Sequence, residues 1–114
     1  MEPIELARTL VDALEDKKAE DILLLDLRDV APFTDYFVIC SGTSERMLNA
    51  LLKGATEAVK KSHKRNARVE GNPMDGWMLA DFGDVVLHVF SEAQRDYYLL
   101  EELWSDGKVL VRVQ

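Results

Sequence analysis

The sequence predicts an α+β fold, three helices with a mixed, mostly antiparallel sheet of four to five strands. Three observations carry this. Apolar residues recur at helical spacing in three segments. Between them lie short apolar runs of strand length. Two of those runs meet at Gly83-Asp84, a pair suited to a two-residue primed turn. The predicted order is α-β-β-α-β-β-α-β, and helix and strand runs mixed in this way suit layers of helix on sheet.

Pro3 suits the first turn of a helix, and Ile4, Ala7, Leu10, Val11 and Leu14 follow on one stripe, so the first helix runs from about 3 to 17. Asp21 to Arg28, with Ile22-Leu23-Leu24-Leu25, is a mostly buried strand. Ala31-Pro32 breaks the chain, and Asp35 to Cys40 forms the second strand. Ser41-Gly42-Thr43 turns, and Thr43 or Ser44 caps the next helix. That helix extends to about 64, with Met47, Leu48, Leu51, Leu52, Ala55, Ala58 and Val59 on one face. Asn66 to Gly76 is read as the longest loop. Ser91 and Gln94 form a capping box for a third helix, about 92–104, whose stripe is Ala93, Tyr97, Leu100 and Trp104. Asp106-Gly107 turns into a short edge strand, Lys108 to Val113.

The turn at Gly83-Asp84 fixes the hairpin register. Phe82 opposes Val85, Asp81 opposes Val86, Ala80 opposes Leu87, Leu79 opposes His88, Met78 opposes Val89 and Trp77 opposes Phe90. Because side chains alternate faces, Met78, Ala80, Phe82, Val85, Leu87 and Val89 share an apolar core face. Trp77, Leu79, Asp81, Val86, His88 and Phe90 share the other. With an acid and an imidazole among its aromatics, that second face reads as a surface awaiting a partner.

The 114 residues suit one domain spanning 1–114. The formal charge of −7, from 21 acids and 14 bases, disfavours general binding to nucleic-acid backbone and favours basic proteins as partners. A single cysteine, Cys40, excludes an intrachain disulfide and suits a reducing, cytoplasmic setting. The acidic start lacks the apolar run of a signal peptide, and no stretch approaches a membrane span.

Catalytic readings are weak. Asp81 and Asp84 are the candidate metal-binding acids, but one projects from a strand and the other lies in the turn, so they do not converge as phosphoryl chemistry requires. Ser41-Gly42-Thr43-Ser44 at a helix start suits a phosphate, yet a helix cap explains it equally well. Cys40 reads as a small buried hydrophobe. His63 reads as a solvated group at a basic helix end, and His88 as a partner for an acid or another molecule. The cations from Lys60 to Arg68 suit a solvated helix C-terminus, with contact to RNA at the edge of a docking site as the alternative. Trp77 is the strongest docking candidate, because Trp beside acids is a common interface anchor. Tyr97, Leu100 and Trp104 are assigned to the core, Tyr98 and Leu99 to the surface. Arg95 is expected to bridge to Asp81 or Asp84.

Four separated segments carry a resemblance to a known family. They are Cys40-Ser41-Gly42-Thr43-Ser44-Glu45-Arg46, then Glu70-Gly71 leading to Trp77, then Asp81 through Phe90, then Arg95 through Trp104. In order and spacing they resemble the Iojap family, the ribosomal silencing factors of bacteria and organelles, over residues 3 to 104. Met47 departs from the pattern, where a polar residue such as Gln often follows the Arg. The resemblance implies a nucleotidyltransferase-like fold without the catalytic acids. It also implies binding to the large ribosomal subunit through large-subunit ribosomal protein fourteen, which would block joining of the small subunit and damp translation in starvation. Organellar relatives act in large-subunit assembly, and members are often dimeric when free. The expected partner-binding residues are Glu70, Trp77, Leu79, Asp81, His88, Phe90, Tyr98 and Leu99. No catalytic, cofactor or metal residue is expected, and a nucleotidyltransferase-type enzyme or a plain homodimer module are the alternatives.

Overall fold

A computed structural model describes residues 2–113. Helix α1 (Pro3–Asp16) starts with Pro3 in its first turn and buries Leu6, Ala7, Leu10, Val11 and Leu14. Strands β1 (Glu20–Asp26) and β2 (Tyr36–Gly42) follow, then α2 (Glu45–His63). The Ser44 hydroxyl accepts from the Met47 amide at 3.0 Å and caps α2 as expected. Strand β3 (Arg68–Asn72) and a 3-10 turn (Pro73–Asp75) lead into the hairpin strands β4 (Trp77–Asp81) and β5 (Val85–Ser91). Helices α3 (Glu92–Tyr98) and α4 (Leu100–Leu103) and strand β6 (Lys108–Val113) complete the chain.

The sheet order is β3-β4-β5-β2-β1-β6. Among the described residues only the β2–β5 pair is parallel, so the sheet is mixed and mostly antiparallel. Every residue of β2 is buried, as a central strand covered on both faces requires. On one face α1 and α2 bury Leu10, Leu14, Leu48, Leu51 and Val59 against Ile22, Val38, Leu87 and Val89. The opposite face is a second core of Leu23, Leu25, Phe37, Ile39, Val86 and Phe90, closed by Leu100 and flanked by Trp77, Leu79 and Trp104.

Three expectations need correction. The sheet has six strands, because the segment read as a loop contains β3. All five β3 residues are exposed, so no buried alternation marked them; backbone pairing to β4 holds the strand. Gly71 there has φ +93°, and a Cβ at this position would stand 2.4 Å from the Trp77 carbonyl oxygen. The third helix is interrupted at Leu99, which takes a left-handed conformation (φ 48°, ψ 49°). The break shifts the helical phase: Leu100 turns inward and Trp104 is half-buried, but Tyr97, assigned to the core, is 76% exposed. Finally, only half of the capping box forms. Ser91 Oγ accepts from the Gln94 amide, but the Gln94 side chain donates to the Asp75 carbonyl.

Candidate functional site

The hairpin register is the one the turn predicts, pair for pair from Trp77–Phe90 to Asp81–Val86, with the Phe82 amide donating to the Val85 carbonyl. Gly83 takes φ +92°, as a primed turn demands. Trp77 therefore lies over Phe90, the rings near parallel at 5.2 Å, with Tyr98 at 4.5 Å on its open side. The Trp77 indole N–H donates to His88 Nδ1 at 3.2 Å. Since Nδ1 is thereby the acceptor, the neutral ring carries its proton on Nε2. Burial pushes the His88 pKa down to about 4, against the opposing pull of Asp81, so the imidazole is neutral at physiological pH. His88 packs edge-on to Phe37 at 4.6 Å.

In front of Trp77 opens a groove of about 250 Å³, lined by Glu70, Gly71, Asp75, Trp77, Leu79 and Tyr98. It combines aromatic and aliphatic surface with two carboxylates. A wider hollow of about 600 Å³ at the α1–β1 turn is lined largely by Glu15, Lys18, Glu20 and Asp21. It is shallow and charged and lacks an aromatic anchor, so the smaller groove is the better candidate for specific docking.

The predicted partner residues separate into two tiers. Glu70, Tyr98 and Leu99 are exposed, and Trp77, Leu79 and Asp81 are half-buried around the groove. His88 and Phe90 are 5% and 0% exposed. They lie behind Trp77, out of reach of a docked partner, and hold it in place. The reading of this face as open is thus corrected: the chain covers most of it with α3 and α4 and leaves only the rim near Trp77.

Asp81, Asp84, Arg95 and His63 all bond within the chain. Asp81 accepts from the Gly83 amide at 2.7 Å and lies 3.5 Å from Arg68. Asp84 pairs with Arg65 at 3.2 Å, and Arg65 also donates to the Phe82 carbonyl. The two acids do not converge. Arg95, expected to reach one of them, instead is buried and donates to the Asp21 carbonyl and Ser41 Oγ, both at 2.9 Å, tying α3 to β1 and β2. Cys40 is buried and its pKa is pushed up to about 12 by desolvation, which keeps it a thiol. His63, read as solvated, is half-buried and lies 2.8 Å from Thr9 Oγ1, joining α2 to α1. Among the described residues, no three His, Cys, Asp or Glu side chains gather to hold a metal.

Sequence reasoning missed Asp75 as a groove residue and the exposed Phe33, Tyr97 and Leu103. Asp75 was hidden inside the supposed loop. Tyr97 and Leu103 follow from the break at Leu99, which no Gly or Pro announces.

The whole chain, residues 1–114, matches the family described as "Ribosomal silencing factor during starvation". The ribosomal silencing factor RsfS of Halalkalibacterium halodurans is 38% identical over 103 residues, covering 90% of this chain and 88% of that protein. The mouse protein named "Mitochondrial assembly of ribosomal large subunit protein 1" is 36% identical over 99 residues, 84% of this chain but 43% of its own length. A crystal structure of a Chromobacterium violaceum protein superposes with a TM-score of 0.87 at 33% identity, covering 100% of this chain and 94% of that one.

Proposed function

The chain belongs to the family of ribosomal silencing factors, and from that premise we propose that it docks the Trp77 groove on the large ribosomal subunit and sterically blocks joining of the small subunit, repressing translation. The contact we propose is with the basic large-subunit ribosomal protein fourteen, in the cytoplasm, without turnover or cofactor. The observation that carries the reading is the construction of the groove. Trp77 is held by stacking on Phe90 and by a hydrogen bond to a neutral His88, while Glu70 and Asp75 border it. A rigid indole beside acids suits an Arg- and Lys-bearing protein surface, with little side-chain entropy left to lose on binding.

Size is consistent with a steric role. A standard interface takes about 800 Å² from each partner, near an eighth of this chain's 6511 Å². The whole body spans 32 × 32 × 24 Å, so most of it would project from such a contact. The test is co-sedimentation with separated ribosomal subunits. Wild type is expected on the large subunit alone, with binding lost in Trp77→Ala and in Glu70→Lys, both folded by circular dichroism. Glu70 is exposed, so its reversal tests the contact without disturbing the core. Normal binding by both variants would refute this docking face.

The name of the mouse relative favours a second reading, assistance in large-subunit assembly. Preference for precursor over mature large subunits in the same assay would select it.

A further inference from the structure

The charge of this chain is unevenly placed. Residues 60–68 hold five of the 14 Lys and Arg residues and none of the 21 acids. The rest of the chain carries nine bases against 21 acids, a net −12, so a concentrated cationic end projects from an acidic body. A helix C-terminus presents about half a negative charge, which one or two cations satisfy; five exceed that need.

The structure sorts these cations. Arg65 folds back onto the Phe82 carbonyl and Asp84, fixing the turn between α2 and β3. Lys60, Lys61 and Lys64 are exposed, and among the described residues no carboxylate lies within ion-pair distance of them. Lys64 also occupies the left-handed cap of α2 (φ 57°, ψ 33°), a position where Gly is the unstrained choice. A lysine there sacrifices backbone comfort and contributes charge. Arg68 opens β3, 76% exposed, between Glu70 and Asp81 at 3.6 and 3.5 Å. It links the cationic end to the rim of the Trp77 groove.

We propose that Lys60, Lys61 and Lys64 form a contact for RNA phosphates, engaged when the Trp77 groove seats on the large subunit. The occupant follows from the charge. Exposed lysines on flexible stems, with no carboxylate within ion-pair distance among the described residues, suit a backbone of repeating phosphates. The proposal rests on the docking reading above for its source of RNA. It divides the work on the surface: the acidic groove takes a basic protein, and the cationic end takes the nucleic acid beside it.

The test measures large-subunit affinity across a salt series for wild type, for the triple variant Lys60→Gln, Lys61→Gln, Lys64→Gln, and for Lys64→Gly. Each phosphate contact contributes roughly 0.7–0.9 to the slope of log affinity against log salt. The triple variant should lower that slope by about 2 and weaken binding on the order of tenfold or more near 0.1 M salt. Lys64→Gly should melt at a higher temperature than wild type yet bind more weakly. A triple variant with wild-type affinity and slope would overturn the proposal, as would a Lys64→Gly protein that is stabler and binds equally well. A labelled A-form RNA duplex, read by anisotropy at low salt, separates this idea from the docking one. Duplex binding that survives Trp77→Ala and is lost in the triple variant supports the phosphate contact even where subunit binding fails. Duplex binding indifferent to the lysines rejects it even where docking stands.

Discussion

Acidification should loosen the hairpin through His88 before the carboxylates matter. Its folded pKa is about 4, lowered by burial from the 6.5 of the free side chain. A group depressed in this way contributes stability that is complete above the unfolded value and is lost as pH falls from 6.5 through 4. Between pH 7 and pH 5 the unfolded chain takes up about 0.7 of a proton at this side chain and the folded chain under about 0.1, which removes about 2 kcal/mol. The ring is almost fully buried, so solvent screening does not erode this figure much. The comparison protein is His88→Asn, whose side-chain oxygen can still accept the Trp77 indole N–H but cannot titrate. Urea unfolding followed by circular dichroism at both pH values gives the difference, and other titrating groups cancel because they are common to both proteins. Wild type should lose about 2 kcal/mol more than the variant. Equal losses would show that His88 is not held neutral by burial, and the account of how Trp77 is anchored would fall with it.

Three further outcomes follow from the same geometry. Cys40, buried and held as a thiol, should resist a disulfide reagent in the native protein and react at the unfolding rate; rapid native labelling would contradict its burial. Gly71→Ala should destabilise by at least about 2 kcal/mol in thermal or urea unfolding, because a positive φ and a Cβ against the Trp77 carbonyl both oppose it. Ser91→Ala removes the cap of α3 and should lower stability by about 1 kcal/mol, with hydrogen exchange rising first in α3.

Legibility in the sequence tracked how strongly each element is tied to burial. The hairpin could be read to the residue, because Gly83-Asp84 fixes the register and alternation then assigns both faces. The helices α1 and α2 were legible for the same reason, their buried stripes being long and regular. β3 was not, because an exposed edge strand has no apolar period to read. The end of the third helix failed differently. Leu99 adopts a left-handed conformation that Leu rarely takes, so the local preferences gave no warning and Tyr97 was sent to the wrong side. For the docking site, the right neighbourhood was visible in Trp77, Glu70 and Tyr98. The depth of each residue was not: Phe90 and His88 share a strand face with Val86, and only the tertiary cover of α3 and α4 shows that they lie beneath the surface.

The strand order also sets when this chain can acquire its shape. β1 lies between β2 and β6, so the first of the six described strands is bordered by the sixth. β2 in turn waits for β5, whose residues pair with it from Tyr36–Val85 to Gly42–Ser91, nearly half the chain away. An emerging polypeptide can form α1 and the β1–β2 pair early, but the sheet cannot close until β6 is free. Such distant pairings slow folding, since the entropy of large loops is lost before the contacts that offset it are made. Until Leu100 and Trp104 are in place, the apolar face of β1 and β2 turned away from α1 stays uncovered. No cut between β2 and β5 would leave two halves able to fold apart, and reassembly of such fragments would have to proceed by association rather than by docking of finished pieces.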